Sequence, residues 1–280
     1  MFTFNRYPTN TLITPGTENG GRSREALVIV KAYPNPSAKY SETVCVVAIT
    51  REEGLIRLYP IGFRSLPEEK RFKKYQCIHF RMRKHDSDKR PESYRPDEHS
   101  FKLLEKIGTK DNWRERWRWI RPTIGPTMCE LIRMQKTHSR SLACIKPFDV
   151  DKLVVEDAET DWTGRKKGIV DQLTLFDPLE TKLEKIPYVF RYRYRCGEKD
   201  CNGHNQLIID WEIMEFYRRI RNQGAEKTDI VPEVQRRFYG KLCNKNKDTY
   251  FFVGNHSLWP SSFMVLGIFW PPKSKQSELF

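Results

Sequence analysis

Tyr188–His204 reads YVFRYRYRCGEKDCNGH, and this stretch organises the rest of the chain. Tyr188, Phe190, Tyr192 and Tyr194 alternate with Val189, Arg191, Arg193 and Arg195. A period of two predicts a strand with one aromatic, buried face and one cationic, wet face. Directly behind it, Cys196, Cys201 and His204 stand in the spacing Cys-x4-Cys-x2-His. Thiolates and a neutral imidazole are good zinc donors, and Gly197 and Gly203 permit the tight turns that aim donors inward. Three donors leave a tetrahedral site one short. Cys243, at the end of a later helix, is the expected fourth ligand, with His256 as the alternative. Four protein ligands would make the zinc structural, whereas three plus water would make it catalytic.

Downstream, Ile209, Ile213, Phe216, Tyr217 and Ile220 recur at helical spacing, which predicts a helix over Leu207–Arg221. A second amphipathic helix is expected over Val231–Leu242, with Pro232 near its first turn. Thr249–Val253 and Ser262–Trp270 are apolar enough to be closing strands. Residues 187–273 therefore read as a small zinc-stabilised α+β domain, followed by a tail over 274–280.

Upstream, Ala26–Tyr33 (ALVIVKAY) is a nearly continuous β-branched run, which predicts a strand buried on both sides. Strands are also expected over Glu42–Thr50, Gly54–Pro60 and Gln76–Lys84, with a short basic helix over Glu68–Tyr75. The prolines and polar residues of Lys84–Ser100 predict a loop. Helices are expected over Phe101–Gly108, Asp111–Ile120 and Thr127–Thr137, then short strands over Ser141–Lys146 and Lys152–Val155. These segments make residues 25–157 a mixed-strand, basic N-terminal domain behind a flexible tail over 1–24. Residues 158–186 read as an irregular connection. Clustered strands and helices, rather than a regular alternation, place the chain in the α+β class.

Charge suggests the partner. The formal net charge of the 280 residues is +14, and Arg57–Arg140 holds 22 Lys and Arg against 11 Asp and Glu, so most of the excess lies in the first half. Within it, Asn112–Pro122 reads NWRERWRWIRP. Guanidinium forks suit phosphate oxygens, and indole faces stack on unpaired bases. Arg114, Arg116, Arg118, Arg121, Trp113 and Trp117 are accordingly the candidate nucleic-acid contacts, together with Arg81 and Arg83 on the cationic face of the fourth strand. At helical spacing, however, Trp113, Trp117 and Ile120 also share a face, so the tryptophans equally suit a core stripe with the arginines outside. The expected function is nucleic-acid binding, DNA or RNA, by a soluble protein.

The alternative is a metal-dependent enzyme acting on nucleic acid, a nuclease or a base-modifying hydrolase. Glu212 would then be the general base and Asp210 the orienting group beside His204. The acid–base residues of His85–Glu92 offer a second centre.

Other classes lack their signatures. The sequence contains no Gly-x-x-x-x-Gly-Lys-Ser/Thr phosphate loop, no Gly-x-Gly-x-x-Gly fingerprint and no Gly-x-Ser-x-Gly elbow. No apolar run approaches the roughly 20 residues that cross a bilayer. Seven cysteines, an odd number with most widely spaced, and no visible secretory signal predict reduced thiols and a cytoplasmic protein.

Overall fold

Alternate residues of the first strand, β1 (Arg22–Lys31), enter two different cores, which explains its unbroken apolar run. Ala26 and Val28 point into a barrel, while Leu27, Ile29 and Val30 point outward against the C-terminal half of the chain. The computed structural model describes residues 21–37, 41–176 and 182–273. Of the flexible tail expected over 1–24, residues 22–24 belong to β1 instead, paired with the strand over Gln76–Lys84, while 1–20 and the tail expected over 274–280 lie outside the described residues.

After β1 come β2 (Asn35–Ser37), β3 (Ser41–Thr50), β4 (Gly54–Ile61), β5 (Gln76–Lys84) and β6 (Ser93–Lys106). They are ordered β1-β5-β6-β4-β3-β2, and an additional β1–β3 pairing closes the five long strands into a barrel. All contacts are antiparallel except β4–β6, which is parallel. This order, with its single parallel pair, is that of an OB-type Greek-key barrel. Its interior holds Val46, Ala48, Ile56, Leu58, Phe72, Phe80 and Phe101, all buried.

Three expectations fail in the barrel. Phe101–Lys106 of the helix expected over Phe101–Gly108, and Ser93–Ser100 of the loop expected over Lys84–Ser100, belong to β6. Pairing with β5, in the register Ile78↔Leu103 and Arg83↔Arg95, supplies partners that no local pattern reveals. The helix expected over Glu68–Tyr75 shortens to a 3-10 turn at Glu68–Lys70.

Next follow α1 (Lys110–Ile120), α2 (Met128–His138), β7 (Leu142–Ile145), β8 (Asp149–Asp157) and α3 (Gly164–Phe176). They lead to β9 (Tyr188–Arg195), β10 (His204–Leu207), α4 (Trp211–Asn222), α5 (Lys227–Gln235), β11 (Tyr250–Asn255) and β12 (Phe263–Phe269). Asp111, Asn112 and Trp113 have left-handed backbone, so the regular turns of α1 begin after them. The helix expected from Leu207 starts only at Trp211, where Asp210 caps it by accepting from the Glu212 N–H. The second expected helix divides into α5 and a π-helical turn over Arg236–Lys241.

The C-terminal strands form two sheets, β10-β9-β8 and β12-β11-β7. Thus β7 and β8, expected with the first domain, pair with β11 and β9 instead. The stretch expected to be an irregular connection contains α3. The aromatic face of β9 is buried as its alternation predicts, with Tyr192 fully enclosed and stacked 4.9 Å from Phe251. The architecture is mixed α+β.

Between barrel and C-terminal half lies a shared apolar layer. Val47, Ile49 and Cys77 on the barrel's outer face pack with Leu142, Phe252, Leu266 and Phe269. Gly267 lets the backbone approach closely, since a Cβ there would stand 2.7 Å from Val30 Cγ2.

Candidate metal centre

The Cys/His loop grows from the end of β9. Gly197 and Gly203 both adopt φ of +88°, a conformation that side-chain-bearing residues resist, and so turn the chain at each end of the loop. The Cys201 N–H donates to Glu198 O at 3.1 Å, tightening it further. Register with Tyr194 then places His204 at the start of β10, its ring 5.1 Å from the tyrosine's.

A second element supplies the missing donor. Cys129 stands in the first turn of α2, which Thr127 caps by accepting from the Glu130 N–H at 3.1 Å. Glu198 fixes the helix to the loop. Its carboxylate accepts from both Arg133 nitrogens, at 3.0 and 2.9 Å, and from the Thr127 hydroxyl. These bonds hold the Glu198 carboxyl below its usual range, Arg133 acting most strongly.

The ligand atoms of Cys129, Cys196, Cys201 and His204 all lie within 4.8 Å of one another. His204 Nε2 is 3.6 Å from Cys129 Sγ and 3.4 Å from Cys201 Sγ. Cys196 and Cys201 are buried and the other two half-buried. This is the only grouping of three or more such side chains suited to a metal ion among the described residues. Three thiols in so small a volume perturb one another. Burial, then the sulfurs of Cys196 and Cys201, push the Cys129 thiol up to about 12. Burial also opposes ionisation of Cys196, yet the Glu198 N–H and the His204 ring pull its thiol down to about 6. A cation would take thiolate charge from all three.

Cys243 is not in this group. It packs in the C-terminal core with its thiol directed at Phe238 O, 3.4 Å away, and burial raises it to about 12. His256, the other expected ligand, sits in the turn after β11 with its ring 4.8 Å from Trp259. Nothing in the sequence separation marked Cys129, 67 positions before Cys196. The one available sign was its place in a helix start, two residues after the capping threonine.

Asp210 and Glu212 are held elsewhere. Lys74 Nζ donates to Glu212 Oε2 at 2.5 Å and lies 3.8 Å from Asp210 Oδ2. Burial raises the Asp210 carboxyl to about 7, against the pull of Lys74. The carboxylates of the His85–Glu92 loop are likewise engaged. Arg90 forks onto Asp88, Asp86 binds Arg83, and Glu92 accepts from the Ser141 hydroxyl at 2.7 Å.

The arginine- and tryptophan-rich helix divides its residues between core and surface. Trp113 packs edge-on against Trp270 and tilted against Phe269, and Trp117 edge-on against Tyr250 and Phe269, with centroids 5.0–5.6 Å apart. They are therefore interdomain core, not free stacking platforms. Arg116 is also buried. It donates to Ile107 O at 3.0 and 3.1 Å and lies 3.7 Å above the Tyr75 ring. Arg114, Arg118 and Arg121 are exposed, as are Arg81 and Arg83 on β5. Arg118 pairs with Glu115 and Arg81 with Asp97.

Fold and side-chain group together define a two-part α+β protein with a Cys3His grouping that could hold a metal. Residues 124–280 match a family model described as Domain of unknown function (DUF8757), and the chain belongs to that family. Residues 22–122 match a second, Domain of unknown function (DUF8758). The two matches meet just before α2, between barrel and C-terminal half. Comparison with curated proteins found no match. No helix among the described residues is long and apolar enough to cross a membrane.

Proposed function

We propose that this chain is a nucleic-acid-binding protein whose C-terminal half is stapled by one structural zinc ion. The observation that supports the zinc part of this reading is the completeness of the donor set. Tetrahedral zinc, with Zn–S of about 2.3 Å and Zn–N of about 2.0 Å, places its ligand atoms roughly 3.5–3.8 Å apart. The separations of His204 Nε2 from Cys129 and Cys201 Sγ, 3.6 and 3.4 Å, suit that geometry. Three thiolates and an imidazole favour zinc over hard cations, which prefer oxygen. With four protein ligands the site is closed to water, which is the pattern of a structural ion.

Nucleic acid is the partner best matched to the remaining surface. OB-type barrels bind oligonucleotides on the outer face of their second and third strands, an analogy of fold alone. Here much of that face, including Val47 and Ile49, is covered by the C-terminal sheet. The phosphate-facing groups are therefore assigned to α1 and to β5–β6. Arg114 and Arg121 are exposed on or just after α1, and Arg81, Arg83 and Lys102 on the barrel. Cationic side chains neutralise phosphates and release condensed counterions, so affinity should fall steeply with salt. Fluorescence anisotropy with labelled single- and double-stranded DNA and RNA at several salt concentrations tests this. Absence of binding to all four at low salt would refute the nucleic-acid reading.

The hydrolase alternative is less well supported. Its assigned carboxylates, Asp210 and Glu212, are engaged by Lys74, and the Cys3His set has no need of a fourth ligand from solvent.

A further inference from the structure

A cavity of about 320 Å³ opens where the C-terminal half leaves the end of the β3–β4 face uncovered. Ile209, Met264 and Leu266 give it an apolar lining. Its polar lining includes Arg57, Arg90 and Asn255. The volume lies at the low end of the range for small-ligand pockets, about 300–1,000 Å³, and is far too narrow for a duplex.

A buried cation held by uncharged groups and a buried acceptor without a partner both line this cavity. Arg57 is only 2% exposed, yet its guanidinium donates to neutral oxygens. These are Ser93 Oγ at 3.0 Å, Ser141 Oγ at 2.9 Å and Ser141 O at 3.0 Å. The Cys45 thiol also hydrogen-bonds this guanidinium, and behind Ser141 stands Glu92, which accepts from the serine hydroxyl. Gly254 keeps room for this cation, since a Cβ there would stand 3.1 Å from an Arg57 terminal nitrogen. Arg90, by contrast, is neutralised by Asp88 and bonds Asn255 O at 2.8 Å, so it braces the rim.

Asn255 supplies the second group. It is 4% exposed, and its Nδ2 donates to Pro260 O at 2.8 Å, which fixes the orientation of the amide. Its Oδ1 is buried without a hydrogen-bond partner. A buried acceptor left unpaired is costly, and a ligand N–H would relieve it. The cavity thus combines an apolar sleeve, a hydrogen-bond acceptor and a buried cation.

We propose that this cavity receives one unstacked nucleotide of a bound strand, its base between the apolar walls with an N–H on Asn255 Oδ1, and its phosphate toward Arg57. The inference rests on the nucleic-acid reading and gives it a site. Extruding one nucleotide is least costly from a single strand, so single-stranded probes are the fitting ones.

The test uses the full chain and a labelled twelve-nucleotide single strand, as DNA and as RNA, each with an abasic counterpart. Intact strands should bind about tenfold more tightly than abasic ones, the scale expected when one base is lodged against protein. Asn255→Leu removes the acceptor, and Met264→Phe narrows the sleeve without touching a hydrogen bond. Each should lower affinity for the intact strand while leaving the weaker abasic binding unchanged, which also shows that the variant is folded. If parent protein binds intact and abasic strands alike, the cavity proposal is overturned and nucleic-acid binding stands. If neither DNA nor RNA strands bind at low salt, both fall. Displacement of the strand by free dAMP, dCMP, dGMP or dTMP at concentrations matching the strand's own Kd would assign the cavity to free nucleotides and overturn the strand claim.

Discussion

Cys129 and His204 meet across 75 positions of chain, with the thiol 3.6 Å from the ring nitrogen. One comes from the first turn of α2 and the other from the edge of β10. Their contact joins elements that backbone pairing alone does not connect. A zinc ion bound there would tie α2 to the β9–β10 hairpin, so loss of a ligand should loosen the C-terminal half before the barrel.

Cys243→Ser provides the matched control. Because this thiol packs toward Phe238 O rather than the metal group, the substitution should leave metal content unchanged. Its cost should be a modest core effect, of order 1 kcal/mol, from placing a hydroxyl in apolar surroundings. Metal analysis together with thermal melting separates this outcome from that of a ligand substitution.

Arg116 and Arg114 should behave as different kinds of residue despite being two positions apart. Arg116→Ala removes two buried hydrogen bonds to Ile107 O and the stacking on Tyr75, and should destabilise the protein by about 2 kcal/mol in denaturant titrations. Arg114→Ala with Arg118→Ala should leave stability nearly unchanged. That pair should weaken binding of every nucleic-acid sequence and reduce the salt slope. An Arg116 variant as stable as the parent, or a double variant that binds like it, would contradict this division.

Lys31 predicts a pH dependence of stability. Burial lowers its ammonium to about 8, with nearby Glu212, Glu215 and Asp210 opposing the fall. The folded protein therefore holds this proton less tightly than the unfolded chain does. Its cost is full below pH 8, and disappears as pH rises past the ordinary lysine value of about 10.4. Lys31→Met should raise stability near pH 7 by about 1–3 kcal/mol, the desolvation gain partly offset by the lost contact over Phe63. The advantage should shrink between pH 8 and 10. A gain independent of pH over this window would assign the effect to packing instead.

The strands were legible in the sequence wherever burial followed a local period. The run from Ala26, the alternation of Gln76–Lys84 and the alternation of Tyr188–Arg195 each describe a real strand, because each face meets a single environment. Phe101–Lys106 was not legible, since its spacing suits a helix and only β5 makes it a strand. The same limit applies to the metal group. Cys196, Cys201 and His204 are close in sequence and their shared purpose can be read from spacing. Cys129 enters only through the packing of α2 on the loop, through Glu198, Thr127 and Arg133. Trp113 and Trp117 show the opposite case, in which interdomain packing takes side chains whose chemistry would suit a ligand.

Metal analysis of parent protein and Cys129→Ser, both purified without chelators, tests the zinc staple most directly. The account predicts about one zinc per chain in the parent, its loss in the variant, and earlier melting of the C-terminal half. A parent free of zinc, or a Cys129→Ser protein that retains the full equivalent, would contradict it.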